Sequence, residues 1–153
     1  MGLLISADKV AEAMVNLRHV MQRSWMDYFA LHFIPSNTIR FDLLDASSSY
    51  GKHIAGFQLI QQPNCCGILI STQTYVIEEK RGQGIAQELM KLKIALAREF
   101  NYPCMLATAR LDNEVEIHIL EKFGWERGHE FLNNRTDNQL AIYTLDIPKE
   151  ELE

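Results

Sequence analysis

The sequence predicts a single α/β domain over residues 1–153, built on a mixed central sheet of about six or seven strands with helices on both faces. Two observations point there. Apolar residues recur at helical spacing in some stretches and alternate with polar ones in others, and the two kinds of segment interleave along the chain. The composition agrees, since 47% apolar and 23% charged residues with eight Gly and four Pro is ordinary globular usage. A chain of this length buries roughly 70% of the surface its unfolded form exposes, so a core forms without disulfides or a structural metal.

From Ala7 to about Phe33 the residues Val10, Met14, Leu17, Met21 and Trp25 recur at spacings of four and three, the stripe of one broken helix or two consecutive ones, stopped by Pro35. Ile39-Arg40-Phe41-Asp42-Leu43 alternates as a half-buried strand, and Ser47 to Gly51 is turn chemistry. Ile54 to Gln61 reads as a second strand, Pro63-Asn64 as a turn, and Cys66 to Ile77 as one longer or two short strands. The most regular helix carries Ile85, Leu89, Leu92, Leu96 and Phe100 and ends at Asn101-Tyr102-Pro103. Cys104 to Thr108 is a short buried strand. A short helix comes after Asp112 with Val115, Ile119 and Phe123, closed by Gly124 in a left-handed cap. Trp125 to Leu132 and Leu140 to Ile147 alternate as two final strands around the turn Asn133 to Asn138.

Charge and cysteine usage exclude several function classes. Fifteen Lys plus Arg against twenty Asp plus Glu leave a formal charge of -5, which argues against a nucleic-acid partner held by phosphate neutralisation and mildly favours a cationic substrate. The three cysteines, Cys65, Cys66 and Cys104, offer neither a paired framework nor a zinc-ligand spacing, so no metal is expected and a reducing, cytoplasmic setting fits best. The first residues lack a basic region and an apolar stretch long enough for a secretory signal. The uncharged run Ile54 to Ile77 is interrupted by Gln58, Gln61, Gln62, Pro63, Asn64 and Gln73 and reads as a hairpin, so no membrane partner is expected.

The segment Lys80-Arg81-Gly82-Gln83-Gly84-Ile85-Ala86 lies between a strand-like run and the most periodic helix, a place where anions bind. Glycines let the backbone approach a ligand, the first helical N–H groups have no internal acceptors, and the dipole favours negative charge. No Gly-Lys-Ser/Thr comes next, and Gln87 occupies the last position of G-x-G-x-x-G, so neither standard nucleotide motif is complete. On these residues alone the loop is either a phosphate cradle or a surface strand-to-helix turn.

Arg81-Gly82-Gln83-Gly84-Ile85-Ala86, preceded by Tyr75-Val76-Ile77 and followed by Leu89, resembles the acyl-CoA pyrophosphate loop of the GNAT superfamily of N-acetyltransferases, whose pattern is R/Q-x-x-G-x-G/A. A second block, Asn113 followed by Leu120-Glu121-Lys122-Phe123-Gly124-Trp125, is similar to the family's later segment at the family's spacing. The resemblance runs from about Tyr75 to Trp125. It implies a GNAT-like single domain whose sheet is splayed by a bulge in the fourth strand, with acetyl-CoA as co-substrate and its pantetheine lying in the opening. Backbone groups of Thr74, Tyr75 and Val76 would pair with the pantetheine amides, and an N–H near Val76 would polarise the thioester carbonyl. The amides of Arg81, Gly82, Gln83, Gly84, Ile85, Ala86 and Gln87 would hold the pyrophosphate, and Asn113 would contact the pantetheine arm.

The sequence departs from the family at two positions. Leu120 stands where many relatives have a Tyr that protonates the departing thiolate, and Thr108 where relatives acting on protein N-termini often have a Glu base. Candidate replacements are Glu116, which shares the helix face of Leu120, and Tyr75 and Glu78, on or just after the strand flanking the thioester. His118 lies about 160° around the helix from Leu120 and faces away. His53 and Tyr143 are loose candidates for the acceptor cleft, and Cys104, in an apolar strand, reads as inert core. The resulting expectation is acetyl transfer from acetyl-CoA to a primary amine of a small molecule or protein. The alternative is a GNAT-like domain that binds acyl-CoA without efficient transfer. The closing strands could pair edge to edge in a homodimer.

Overall fold

The computed structural model describes residues 29–34, 38–45, 51–65 and 67–148. Its strands are β1 (Phe29–Ile34), β2 (Thr38–Leu44), β3 (His53–Gln61), β4 (Ile68–Val76), β5 (Cys104–Arg110), β6 (Glu126–Leu132) and β7 (Gln139–Asp146). Helix α1 spans Ile85–Glu99 and α2 spans Glu114–Lys122, with a 3-10 turn at Glu78–Lys80. The seven strands form one mixed sheet in the order β1-β2-β3-β4-β5-β7-β6. All neighbours run antiparallel except β4 and β5, the pair that needs a crossover, which α1 supplies.

The strand and helix expectations from Ile39 onward are met, with one correction before them. The first helix does not reach Phe33: Phe29–Ile34 is a strand, paired with β2 from Phe29↔Leu43 to Ile34↔Thr38. Phe29, Leu31 and Phe33 also fit a period of two, and the ladder to β2 decides between the two readings. The rest of the expected helix, from Ala7 through residue 28, lies outside the described residues. So do residues 46–50 of the expected turn, while Asp45 and Lys52 on either side of it are joined by a backbone hydrogen bond of 2.8 Å.

One face of the sheet carries the core. Ile39, Phe41 and Leu43 of β2 lie opposite Leu59, Phe57 and Ala55 of β3, and Met105, Ala107 and Ala109 of β5 lie opposite Leu145, Tyr143 and Ala141 of β7. The rings of Phe41 and Phe57 stack with centroids 5.3 Å apart. Helix α1 packs against β3 and β4, burying Leu89, Leu92 and Leu96, which its sequence period places on one side. Buried Tyr102 donates from its hydroxyl to Oε1 of buried Gln61 at 2.7 Å, tying the chain after α1 to β3. Helix α2 ends as expected: Gly124 has φ 87°, and the amides of Gly124 and Trp125 return to the carbonyls of Glu121 and Leu120.

Strand β4 is irregular on both of its edges. Gly56 pairs with Tyr75 and Gln58 with Thr72, so Phe57 faces both Gln73 and Thr74. This is a β-bulge, and Gln73 adopts φ 52° to make it. On the other side, β4 pairs with β5 only from Ile68↔Cys104 to Ile70↔Leu106. Beyond Ile70 the two strands diverge and the sheet opens.

The tight packing across β3 gives a first prediction. A Cβ at Gly56 would sit 2.5 Å from the carbonyl oxygen of Phe41 and 2.9 Å from Cε1 of Tyr75. Gly56→Ala is expected to destabilise the protein by about 1–3 kcal/mol in denaturant unfolding, the usual range for overpacking. Adding Tyr75→Ala is expected not to restore stability, because the shorter clash is with backbone; full restoration would show that the ring alone sets the spacing.

Candidate active site at the sheet opening

The opening between β4 and β5 holds a cavity of about 470 Å³. Its floor is Ser71, Thr74, Tyr75 and Val76 of β4 and Ala107 of β5; α1 contributes Ala86, Met90 and Lys93, and α2 contributes Val115, Glu116, Ile119 and Leu120. Arg81 and Asn113 also line it. The two blocks singled out in the sequence thus meet across one cavity.

At one end, Gly84 caps α1 with φ 82° and ψ 10°, a left-handed conformation that a side chain would strain. The first bond from the cap is the Glu88 amide to the Gly84 carbonyl at 3.2 Å. The amides of Ile85, Ala86 and Gln87 precede it, which makes this helix N-terminus a site suited to an anion. Of the residues expected to hold the pyrophosphate, Arg81 and Ala86 line the cavity, whereas Gly82, Gln83, Gly84, Ile85 and Gln87 do not. The Ile85 side chain is core, and Gln87 accepts from Nζ of Lys122 at 2.8 Å. Arg81 donates from Nε to the carbonyl of Val76 at 3.0 Å, so the loop is tied to the end of β4 through a main-chain acceptor expected to serve the pantetheine.

Asn113 caps α2. Its side-chain oxygen accepts from the Glu116 amide at 3.2 Å, and its Nδ2 donates to Oε2 of Glu116 at 3.1 Å, a reciprocal pair that holds both side chains at the cavity edge. Burial pushes the Glu116 carboxyl above its ordinary range, an effect that the nearby Lys93 opposes. Leu120 is buried in the same lining. His118 is exposed on α2 and outside the cavity, and Thr108 is exposed on β5. Glu78 lies exposed in the 3-10 turn, outside this cavity and outside a second one on the other side of β4.

That second cavity, of about 340 Å³, shares Thr74 and Tyr75 with the first. It is lined by Arg40, Asp42, Phe57, Gln58 and Gln73 as well. Asp42 is buried, and its carboxylate gathers three partners: Nε of Arg40 at 2.9 Å, Nδ1 of His53 at 3.2 Å and the Tyr75 hydroxyl, which donates at 3.2 Å. Asp42, Gly56 and Tyr75 stand in register across three strands, and the missing Cβ of Gly56 lets the ring lie over β3. Burial, with Asp42 close by, pushes the Tyr75 phenol up to about 12, so it keeps its proton and commits it to the carboxylate. Tyr143, by contrast, is core: fully buried, it accepts at its hydroxyl from Nε of Arg127 at 2.8 Å. Burial raises the Cys104 thiol, which suits a packed side chain and not a thiolate.

Sequence reasoning missed Lys93 and Asp42. Lys93 is only 4% exposed, donates from Nζ to Oγ1 of Thr74 at 2.6 Å, and lies 5.4 Å from the centre of the Phe57 ring. Burial pulls its ammonium down to about 8, with Glu116 opposing. The signal was there, since Lys93 falls four residues after Leu89 and three before Leu96, on the apolar stripe. Asp42 gave a weaker one: alternation assigns it to the polar face of β2, where Arg40 stays exposed, and its partners from β3 and β4 accompany its burial.

Comparison with known proteins agrees with this architecture. No curated protein sequence matches the chain. Among solved structures, spermidine N-acetyltransferase from Vibrio cholerae, determined in complex with CoA and spermine, superposes with a TM-score of 0.61 at 17% identity, covering 94% of this chain and 77% of that one. Nourseothricin acetyltransferase gives 0.62 at 18% identity over 76% of this chain and 71% of that one. The NatC complex bound to Gag peptide and CoA gives 0.63 at 15% identity over 71% of each. At these identities the likeness is one of fold. The sequence profile of the Acetyltransferase (GNAT) family matches residues 17–125, more than half of the chain, and the protein therefore belongs to the GNAT family of acetyltransferases.

Proposed function

We propose that the protein transfers an acetyl group from acetyl-CoA directly to a primary amine, in a reducing cytoplasmic setting. The observation that carries this reading is the opening of the sheet beside a glycine-capped helix N-terminus, which sets an anion site next to a largely apolar cavity that reaches Thr74. A pyrophosphate followed by a pantetheine arm matches that order of chemistry. The thioester then lies where the two cavities meet, at Thr74 and Tyr75, and the amine approaches from the second cavity. Tyr75 faces that junction with its own proton given to Asp42, so its oxygen is placed to receive a proton from the attacking amine while Asp42 takes the phenolic one. His53, on the same carboxylate oxygen and half-exposed, gives that proton a route to solvent. Holding the reactants in line contributes several kcal/mol of the barrier in its own right.

A second reading, a domain that binds acyl-CoA without efficient transfer, draws on Leu120 and Thr108, neither of which can act as acid or base at neutral pH. Turnover separates the two. Acetyl transfer to at least one primary amine establishes the first, and stabilisation by acetyl-CoA with no turnover across amines establishes the second.

Two measurements test the site. Acetyl-CoA at a hundred times its dissociation constant is expected to stabilise the wild type by about 2.7 kcal/mol in thermal unfolding, and Gly84→Trp is expected to abolish the shift. Free CoA should compete where ATP and NAD do not; no shift with any of them would return the glycine loop to a simple turn. Asp42→Asn is expected to lower kcat/KM for the amine by about 10- to 100-fold, the worth of one charge-assisted hydrogen bond, and to leave the acetyl-CoA shift unchanged. Undiminished kcat/KM would remove the second cavity from the acceptor path.

A further inference from the structure

Lys93 is a buried ionisable group at the cavity that the acceptor chemistry leaves unused. It comes from the middle of α1, about 12 Å along the helix from Ile85 and the anion-binding end. Its side chain crosses the apolar interface and ends in the cavity at Thr74, the residue that lines both cavities. Oγ1 of Thr74 takes one of its N–H bonds, and the ammonium lies over the Phe57 ring. Among the described residues, the other titratable side chains lining the cavity are Tyr75 from β4, Arg81 from the loop and Glu116 from α2. Glu116 is engaged by the Asn113 amide and Arg81 by the Val76 carbonyl, while Tyr75 directs its proton to Asp42 on the opposite side.

We propose that Lys93 is the acid of the transfer, donating a proton from Nζ to the CoA sulfur as the carbon–sulfur bond breaks. The step rests on the proposed use of acetyl-CoA as donor. The amine nitrogen forms its bond to the acetyl carbon and loses one proton through Tyr75 and Asp42. The carbon–sulfur electron pair leaves with sulfur, which takes the Nζ proton, and neutral Lys93 regains a proton from solvent before the next turnover. An ammonium drawn down to about 8 is well matched to a thiol whose ordinary pKa is about 8.5, since the proton passes between them with little free-energy difference. Leu120 brings no polar group to the lining, and the ammonium, itself only 4% exposed, is poorly solvated and ready to give up its charge.

The test begins with free CoA, independently of any acceptor. CoA binding is measured by thermal shift, and the bound thiol is titrated by thiolate absorbance in the wild type and Lys93→Met. The wild type is expected to hold the bound thiol below about 8.5, and Lys93→Met to raise it by about one unit or more, a tenfold change in thiolate fraction. Absence of CoA binding in the wild type overturns the use of acetyl-CoA itself. Binding with an unshifted thiol in both proteins overturns the role of Lys93 alone. With an amine that turns over, Lys93→Met is expected to lower kcat by about 10²- to 10⁴-fold with KM for acetyl-CoA unchanged, and to erase the fall in kcat expected of the wild type as pH rises through about 8. A retained kcat or an unaltered pH profile overturns the proposal, as does an acetyl group found on Lys93 by intact mass after incubation with acetyl-CoA, which would make it a nucleophile. Lys93→Gln, uncharged and still able to reach Thr74, serves as the second variant and carries the same expectations.

Discussion

The departure of β4 from β5 after Ile70 is the constraint on which the site depends. A parallel pair stays in register only while its backbone hydrogen bonds continue, and here they stop after three residue pairs. The bulge at Gln73 and Thr74 makes the departure possible, because it adds a residue on the β4 side, bends the strand and increases its twist. Everything at the opening depends on that bend. Thr74 turns its hydroxyl to the α1 side, where Lys93 finds it, and Tyr75 lies back over Gly56 toward Asp42.

The charges buried around the bend are costly to hold. An ammonium at position 93 interrupts a stripe in which Leu89, Leu92 and Leu96 all pack into the core, and an apolar side chain there would extend the core at no desolvation cost. Oγ1 of Thr74, the face of Phe57 and the field of Glu116 offset part of that cost. Asp42 is supported more fully, with donors from β2, β3 and β4 on its two oxygens. The two groups lie on opposite sides of β4, one reached from each cavity, so the separation of charge traces the path a reaction at Thr74 and Tyr75 would take.

Much of the fold was legible in the sequence because it rests on local period. The strands from Ile39 onward, both described helices and the cap at Gly124 are set by spacing within a few residues. The strand Phe29–Ile34 was not legible, since Phe29, Leu31 and Phe33 satisfy a strand period while the stretch ahead of them is helical in spacing, and only the pairing to β2 resolves it. At the site, the glycine loop and Asn113 could be found because their roles are mostly main-chain and leave a pattern in consecutive residues. Lys93 and Asp42 could not be assigned in the same way. Lys93 becomes meaningful through Thr74, nineteen residues earlier, and Asp42 through Tyr75, thirty-three residues later.

That difference bears on how chemistry is distributed over this fold. Main-chain groups at a helix N-terminus and along a bulged strand can hold one donor whatever side chains surround them, so the donor site tolerates wide sequence change. Proton handling leans instead mostly on side chains that reach the opening. Any strand or helix bordering the opening can supply them, which is why Leu120 and Thr108 need not mark an inactive protein. Here the reachable groups come from the middle of α1 and, across Gly56, from β2. Their positions are set by the same bend that opens the cavity, so in the proposed reaction the geometry that opens the sheet also selects where an acid and a proton acceptor stand.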